Sequence, residues 1–486
     1  MRQTVVYGLS GVLLQVVGVV TLPIFTHTFD STQYGVIGLA LVTSTLAYIL
    51  VDLGLGSAAQ RSYFDRSEDQ QSERRAVLLT ATVTETAIAT AVAAILIVLR
   101  DPLSALLFGT PRFHLLVVLI GVNLPLTALM LLTREAMRLT FRPWRYFASA
   151  LIAGLGATAT SLVAVYALHA GVAGLLWGLL AGTAASAVFG LFACRGAIGG
   201  RWSGPELRVM FRFGLPLVPA AFAQWGLTFA DRFMLRALST TSEVGLYTVA
   251  NQIAGVLLFV VSAFSLAFSP YILSLYADDP ELEKRARAQT LVYLTVVLAT
   301  VAVVLGVFAR ELVAVLAPRQ EYAAAYETIA LLAAGGVAFG INAVTLAGIS
   351  YRRATHWFAI YTTVAAVVNF SLNFALIPPF GQVGAGVAQA SALILLGVLY
   401  YRRAQSLYPT PFDAAKILKT CALAAAAAAV GFAPIHDLVL ALGLHAITVL
   451  VFLALLRPLG VIEAHEIAHV RELLRRPVAW PGRGVQ

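Results

Sequence analysis

A polar cluster closes an otherwise apolar helical stretch near the middle of the sequence. Gln224, Thr228, Asp231 and Arg232 recur at helical spacing on one face, and Arg236 follows one turn later. Guanidinium groups bind phosphates and carboxylates through paired hydrogen bonds. Two chemistries therefore stay open. The arginines bind an anionic ligand in a cleft, or they form a structural ion pair with Asp231 or a neighbouring helix.

A second group of arginines follows the fourth apolar run. Arg134, Arg138 and Arg142 stand at positions i, i+4 and i+8, and Arg145 comes soon after. This spacing predicts a stripe on one helical face. The stripe suits the capture of an anionic ligand, and the alternative is an anchor on anionic lipid headgroups.

Glu85 is the only carboxylate that the sequence places clearly in the middle of an apolar run. A charged carboxylate at that depth costs about 3 kcal/mol even on the lenient insertion scale, so we expect Glu85 to face the protein interior. Thr82, Thr86 and Thr90 lie on an adjoining face and can supply hydrogen bonds. The two hypotheses are proton coupling and a neutral, hydrogen-bonded glutamic acid.

Two other motifs have simpler interpretations. Asp52 and Arg61 lie at or beyond the end of the second apolar run, where we expect a structural turn. The stretch 465–469, HEIAH, fits a zinc-binding spacing but has no further histidine to complete a site. We therefore expect an amphipathic helix there, no metal site and no cofactor.

The elements that position these residues follow from composition. Of 486 residues, 59% are hydrophobic and 12% are charged, against about 25% charged residues in soluble domains, so the chain is an integral membrane protein. Apolar runs long enough to cross a bilayer predict an all-α fold of about fourteen transmembrane helices. The predicted segments are 4–25, 33–53, 76–99, 114–132, 146–166, 172–194, 213–230, 244–264, 290–308, 328–349, 357–377, 383–399, 417–432 and 438–456.

The charges between these segments predict the orientation. With the N-terminus inside, 27 of the 33 Lys and Arg residues fall on the cytoplasmic side. The positive-inside rule therefore supports both the number of crossings and cytoplasmic N- and C-termini. The connections are too short for a folded domain outside the membrane.

An internal repeat divides the chain into two halves. The stretches 31–47 and 241–257 align Gly35 with Gly245, and 169–178 and 381–390 align Gly174 with Gly386, at offsets of 210 and 212 residues. Parallel repeats with a pathway between them are a transporter design. The predicted parts are a six-helix lobe at 1–200, a second at 201–408, two further helices at 409–457 and a cytoplasmic amphipathic tail at 458–486.

Several short stretches resemble one transporter family. They are QYG (33–35), DLGLGSAAQR (52–61), FGLPLVP running to ADRFMLR (213–236), SEVGLYTVANQ (242–252) and NFALIPPFGQVGAGVA (373–388). In order and spacing they resemble the polysaccharide (O-antigen and exopolysaccharide) flippases, relatives of the multidrug and toxin extrusion transporters and the lipid II flippase. The resemblance implies export of a lipid-linked oligosaccharide from the inner to the outer leaflet of a cell membrane, for lipopolysaccharide or exopolysaccharide synthesis.

The resemblance also gives the charged residues expected roles. The substrate would carry a polyprenyl pyrophosphate, which Arg134, Arg138 and Arg142 would gather at the cytoplasmic entrance. Arg232 and Arg236 would hold it at the outer side, where the family has a matching Asp-Arg pair. Expected partners are membrane lipids, a polysaccharide polymerase and glycosyltransferases, with no nucleic acid.

Three alternatives remain open. Organic-cation efflux by an extrusion transporter wants acidic residues deep in the lobes, and the polar members of the first helix are only Ser10, Gln15 and Thr21. Lipid II flipping is disfavoured because that family's arginines in the first helix have no counterpart. A membrane polymerase or ligase needs catalytic groups, usually on a large outer loop, and the outer loops here are short. We therefore expect a transporter rather than an enzyme.

Overall fold

The computed structural model describes residues 2–352, 354–433, 435 and 437–461, with the side chains of the first helix described from Val16 onward. The predicted tail lies outside the described residues from 462 onward, and this part includes its HEIAH stretch. The helices of the first half are α1 (Arg2–Thr28), α2 (Ser31–Asp52), α3 (Leu55–Phe64), α4 (Gln71–Val98), α5 (Arg100–Phe108), α6 (His114–Leu139), α7 (Pro143–Leu162) and α8 (Gly171–Cys194).

The remaining helices form the second half of the chain and the final helix pair. Their helices are α9 (Gly204–Gly214), α10 (Val218–Leu238), α11 (Thr241–Ala254), α12 (Val256–Asp278), α13 (Pro280–Val307), α14 (Ala309–Leu316), α15 (Tyr326–Thr345), α16 (Ala347–Tyr351), α17 (His356–Leu407), α18 (Ala414–Ala428) and α19 (Leu438–Leu455).

The predicted fold class, an all-α polytopic membrane protein, is confirmed. In the described part of the chain, 12 helical stretches are long and apolar enough to cross a membrane. One of them, α17, contains two predicted crossings joined at Gly381, where φ is 53°. The hydrogen bond from Asn369 Nδ2 to Gln389 Oε1, 3.1 Å, shows that the chain folds back there. With α1 as the first crossing, the helices agree with the fourteen predicted segments.

The internal repeat is visible in the element order. Helices α2 and α11 begin 210 residues apart, and α4 and α13 begin 209 residues apart. A helix break follows at Leu99 and again at Phe308, with nearly identical backbone angles (φ −92°, ψ 17° and φ −90°, ψ 17°). Helices α1–α8 are called the N-terminal lobe below, and α10–α17 the C-terminal lobe. The residue boundaries of the predicted domains stay a prediction.

Close packing inside the N-terminal lobe comes from small residues. Gly174, Gly178 and Gly182 stand four apart on α8, and a Cβ at each would lie 3.1, 2.0 and 2.4 Å from atoms of α7 or of the π-helical turn 163–167 that follows it. Small residues at this spacing let two transmembrane helices approach closely. Helix α8 also packs on α6, and α6 packs on α4.

The C-terminal lobe is built around α17. Helices α10 and α15 both pack on α17, and α13 packs on α15. The final pair, α18 and α19, packs on α13. The bundle thus has two sides: the basic side, with α3, α9 and the α6–α7 connection, and the opposite side, where α1 ends, α2 and α11 begin, and α5 and α14 lie.

Candidate functional site: the junction of the two lobes

The two lobes meet where α2 crosses α11. Gly35 and Gly245, which the repeat aligns, lie against each other at this crossing. A Cβ on Gly35 would be 2.0 Å from Thr241 O, and a Cβ on Gly245 would be 1.9 Å from Ser31 O. Each glycine therefore leaves room for the backbone of its counterpart, and the near-equal distances reflect the two-fold relation between the halves.

Polar contacts surround this crossing on the opposite side. Ser31 Oγ and Ser242 Oγ are 2.7 Å apart, and the Ser31 amide donates to Glu321 Oε2 at 3.2 Å. The hydroxyl of Tyr322 donates to Phe29 O at 2.9 Å. These bonds tie the N-terminal lobe to the start of α11 and to the segment between α14 and α15 of the C-terminal lobe. The opposite side of the junction is therefore closed.

A second layer of contacts lies deeper in the bundle, at Gln252, roughly 15 Å along α11 from Ser242. Tyr34 Oη donates to Gln252 Oε1 at 3.0 Å, and Gln252 Nε2 donates to Gly18 O at 2.6 Å. Tyr34 on α2 and Gly18 on α1 both belong to the N-terminal lobe, whereas Gln252 lies on α11. Gln252 thus links two helices of the other lobe and extends the closure into the membrane.

Arg236 bridges the lobes at the same side. Its Nη2 donates to Phe108 O, the last residue of α5, at 3.4 Å, and the guanidinium lies against Gly109. Gly109 has φ 76° and no side chain, which leaves the space that Arg236 occupies. A cation at a helix C-terminus is electrostatically favourable. In this conformation Arg236 caps α5, and its expected role in substrate binding stays a prediction.

Asp231 and Arg232 form a buried pair inside the C-terminal lobe. Arg232 Nη1 donates to Asp231 Oδ1 at 3.0 Å, and the two side chains are 6% and 1% exposed. Arg232 Nη2 also donates to Asn251 Oδ1 at 2.8 Å, and Tyr247 hydrogen-bonds the second oxygen of Asp231. This geometry is that of a structural ion pair, one of the two alternatives that the sequence left open for Arg232. A cleft role for Arg232 stays a prediction that would require it to leave this network.

Towards the basic side, α10 carries exposed polar groups. Gln224 Nε2 donates to Thr228 Oγ1 at 3.2 Å, and Gln224 is exposed. The neighbouring Trp225 donates its indole N–H to Thr45 of α2 at 3.1 Å. The Trp225–Thr45 bond therefore joins α10 to α2, and polar groups beside it stay accessible. Along the other edge of the junction, α1 packs on α12.

The predicted arginine stripe is shorter than expected. Helix α6 ends at Leu139, Phe141 adopts φ 52°, and Arg142 stands before Pro143 at the start of α7. A residue before proline is pushed out of the helical region, so the prediction of one continuous face through Arg142 is wrong. Arg138 stays on α6, 49% exposed, and donates to Glu135 at 2.7 Å. Arg142 instead contacts the end of α8.

Arg134 and Arg138 line a cavity of about 200 Å³ at the basic side of the N-terminal lobe. Arg134 is held in place by bonds to Ser149 Oγ and Ser149 O, both 3.0 Å. The remaining lining residues are Tyr48, Gly56, Leu131, Leu132, Glu135 and Tyr146. With two guanidiniums and one carboxylate, the cavity has a net positive lining and the size for a small anionic group.

Glu85 lies beneath this cavity and is fully buried. Tyr48 donates its hydroxyl to Glu85 Oε1 at 2.8 Å, and no group of the described residues bonds Oε2. The predicted threonines do not reach it: Thr82 bonds Leu78 O, and Thr90 bonds Thr86 O, both within α4. Whether Glu85 carries a proton in a transport cycle stays a prediction.

Asp52 is the last residue of α2, and Arg61 lies in the last turn of α3. Asp52 accepts hydrogen bonds from the amides of Gly54 and Gly56, both at 3.0 Å, and so holds the turn between α2 and α3. Arg61 lies over the ring of Phe213, at 4.6 Å from its centroid. The first of these contacts shapes the turn, and the second joins α3 to α9.

Helix α9 is bound to the N-terminal lobe although it opens the second half of the sequence. Arg66 forms an ion pair with Glu206, and the Ser203 amide donates to Thr80 Oγ1 at 3.1 Å. Gly54 and Gly214 touch through their backbones: a Cβ on Gly54 would be 2.4 Å from Gly214 O. The 3-10 turn Leu215–Leu217, with its proline, separates α9 from α10.

Sequence reasoning missed a buried charge pair in the C-terminal lobe. Glu283 and Arg287 on α13 are 0% and 1% exposed and 3.1 Å apart. Tyr408 donates to Glu283 Oε2 at 3.1 Å, and Arg287 hydrogen-bonds Thr410. Their i, i+4 spacing was visible in the sequence, but their burial by the segment before α18 was not. The pair fixes that segment, and hence the final helix pair, to α13.

No group of three potential metal ligands occurs among the residues that the structure describes. The expectation of no metal site stays a prediction. The HEIAH stretch lies beyond the described residues.

Comparisons with known proteins give the same architecture. The family model described as "Polysaccharide biosynthesis protein" matches residues 29–324. No curated protein matches the chain. A solved structure described as "Lipid II flippase MurJ, inward closed conformation" is similar with a TM-score of 0.75 and 12% identity, covering 97% of this chain and 100% of that one. An inward-facing "multidrug resistance MATE family transporter of the MOP superfamily" gives a TM-score of 0.67 and 12% identity, covering 81% and 94%. At such identities the similarity concerns the fold.

Proposed function

Because the chain belongs to the polysaccharide biosynthesis protein family, we propose that it is a flippase for a lipid-linked oligosaccharide. The substrate would be a polyprenyl pyrophosphate that carries a glycan for O-antigen, lipopolysaccharide or exopolysaccharide synthesis. It would move from the inner to the outer leaflet of the cell membrane. The basic side and both termini would face the cytoplasm, following the positive-inside rule.

The observation that carries this proposal is the close glycine crossing that shuts the opposite side of the junction between the repeated lobes. The crossing of Gly35 and Gly245, with its surrounding hydrogen bonds, lies at the opposite side of the junction. Each lobe has its own internal packing, so the two can rock as bodies about this junction. Opening the crossing would expose the junction outward, which is the second state that alternating access requires.

A pyrophosphate needs polar surroundings throughout its passage. Each unpaired polar group in hydrocarbon costs several kcal/mol, so the sugar and the phosphates must stay in a hydrated path. We assign the cavity at Arg134 and Arg138 to the first contact with the pyrophosphate at the cytoplasmic side. Gln224 and Thr228 then offer hydrogen bonds along α10.

At the outer end we assign the pyrophosphate to Arg236. Its single bond to Phe108 O is 3.4 Å long, so little is lost when the lobes separate and the guanidinium becomes free. Asp231 keeps Arg232 in position on the same helix. A membrane potential negative inside favours outward movement of an anion by about 2.3 kcal/mol per charge per 100 mV, which assists transport without a coupling ion.

Organic-cation efflux is the alternative, and two contacts argue against it. A cation site needs a carboxylate with free oxygens in the pathway. Asp231 is occupied by Arg232 and Tyr247, and Glu85 is buried beneath Tyr48. A polymerase or ligase is a further alternative, which the experiment below also tests.

The test is translocation in proteoliposomes of the purified chain. A fluorescent polyprenyl-pyrophosphate oligosaccharide is placed in both leaflets, and a glycosidase outside reports the rate at which inner-leaflet sugar becomes accessible. Hydrogen bonds to charged groups contribute about 1.5–3 kcal/mol, so Arg134→Gln with Arg138→Gln should slow transport roughly tenfold or more. Arg112→Gln, an exposed arginine at the opposite side, is the control and should leave the rate unchanged.

Three outcomes would overturn the proposal. They are translocation no faster than in empty vesicles, glycosyl transfer by the purified protein, and efflux of organic cations in place of the lipid. In cells, deletion should leave lipid-linked sugar on the cytoplasmic leaflet.

A further inference from the structure

A basic depression of about 590 Å³ lies on the outer surface of the N-terminal lobe, at the basic side. It forms where the connection between α6 and α7 crosses the end of α8. It is separate from the cavity at Arg134 and from the lobe junction. Its lining residues are Arg142, Arg145, Phe189, Phe192, Ala193, Arg195 and Gly196.

Three guanidinium groups converge here without a counter-charge. Arg142 Nη1 and Arg145 Nη1 both donate to Ala193 O, at 3.0 and 2.8 Å. Within the described part of the chain, no carboxylate lies within ion-pair distance of Arg142, Arg145 or Arg195. A guanidinium has five N–H donors, so one bond to a carbonyl leaves most of each group available. The depression therefore has the charge and the donors for a phosphate.

The same depression continues into an apolar, exposed strip of α8. Phe192 is 68% exposed, and Val188 and Leu191 are 53% and 45% exposed. Trp144, at the start of α7, is 69% exposed. Exposed aromatic rings are typical of the membrane–water boundary, and apolar groups just inside it contact acyl chains. A free phosphate would use only the arginines, whereas a phospholipid would use the arginines and the strip.

We propose that this depression is a binding site for an anionic phospholipid. The phosphate of the headgroup is held by Arg142, Arg145 and Arg195, and an acyl chain lies along Val188, Leu191 and Phe192 of α8. The negative charge of the bound headgroup offsets part of the three positive charges, and the lipid joins the α6–α7 connection to the end of α8. The site does not depend on the transported substrate, so it can stand or fall independently of the flippase proposal.

The experiment is lipid titration of the purified full chain followed by native mass spectrometry. Phosphatidylglycerol is the probe, and phosphatidylcholine is the neutral comparison. The variant is Arg142→Gln with Arg145→Gln and Arg195→Gln. The matched control is Arg201→Gln with Arg208→Gln and Arg212→Gln, which removes the same charge from exposed arginines of the basic side that do not line the depression.

We expect one tight phosphatidylglycerol site, roughly tenfold weaker in the first variant and nearly unchanged in the control. Arg195→Gln alone, which removes no hydrogen bond among the described residues, should weaken the site a few-fold and keeps the test valid if the triple variant does not fold. Equal loss in the variant and the control would overturn the proposal, because only bulk charge would then matter. Displacement of the lipid by millimolar inorganic phosphate would overturn it in favour of a free-phosphate site.

Discussion

One methyl group at the crossing of α2 and α11 should open the opposite side of the bundle. In Gly35→Ala the new Cβ would lie 2.0 Å from Thr241 O, and in Gly245→Ala it would lie 1.9 Å from Ser31 O. A carbon and an oxygen in contact need roughly 3.3 Å, so the helices must separate by more than roughly 1 Å. The obstructing atoms are backbone carbonyls, which cannot rotate away as a side chain would.

The expected magnitude follows from the cost of overpacking. Extra methyl groups in well-packed sites cost about 1–3 kcal/mol, and here that cost falls only on the closed state. Since 1.4 kcal/mol is a factor of ten, the ratio of closed to open molecules should fall roughly five- to 150-fold. The transport rate should change with this ratio. The cycle needs both states, and the state that is closed at the opposite side becomes rarer.

The assay is a distance between the lobes. Thr32 on α2 and Ala237 on α10 are both exposed at the opposite side and can be replaced by spin-labelled cysteines. Cys194 and Cys421, the two native cysteines, are replaced by alanine. Pulsed electron paramagnetic resonance should give one short distance in the parent chain and a second, longer population in both glycine variants.

Gly226→Ala is the matched control. Gly226 lies on α10, and a Cβ there would meet nothing within 4 Å, so the distance should not change. If folded Gly35→Ala and Gly245→Ala both keep the parent distance distribution and the parent transport rate, the glycine crossing is not what closes the junction, and the reasoning fails.

Three further predictions concern buried or partly buried charges. Asp231→Asn should destabilise the protein by about 3–5 kcal/mol because it leaves Arg232 buried without a counter-charge. Thermal unfolding should show a smaller loss when Arg232→Met is added, and equal losses would contradict this. Glu85→Gln should keep the transport rate and its pH dependence, since a neutral amide can accept the same bond from Tyr48; loss of transport in a folded variant would instead support proton coupling. Arg66→Glu should raise the rate of amide hydrogen exchange in α9, and adding Glu206→Arg should restore protection. An unchanged exchange rate in Arg66→Glu would show that the other contacts of α9 hold it without this ion pair.

Chemistry that depends on three-dimensional proximity was only partly visible in the sequence. The i, i+4 spacing of Arg134 and Arg138 correctly indicated neighbouring groups, because both stay on one helix. The same reasoning failed at Arg142, where Phe141 and Pro143 end the helix and turn the chain. The sequence left two alternatives for Arg232, and the structure shows an ion pair because Asp231, Tyr247 and Asn251 surround it.

The class of fold, the positions of the membrane helices and the two-fold repeat could be predicted from the amino-acid sequence. These follow from local hydrophobicity and from the rule that backbone polar groups in a bilayer must be satisfied within helices. Which helix faces meet could be seen only in the folded protein. Gly35 and Gly245 could be aligned from their sequence context, but their contact, the closure on one side and the attachment of α9 to the other lobe depend on packing between segments far apart in the chain. Hydropathy does not identify such contacts, because apolar helix faces in a membrane meet lipid and protein alike.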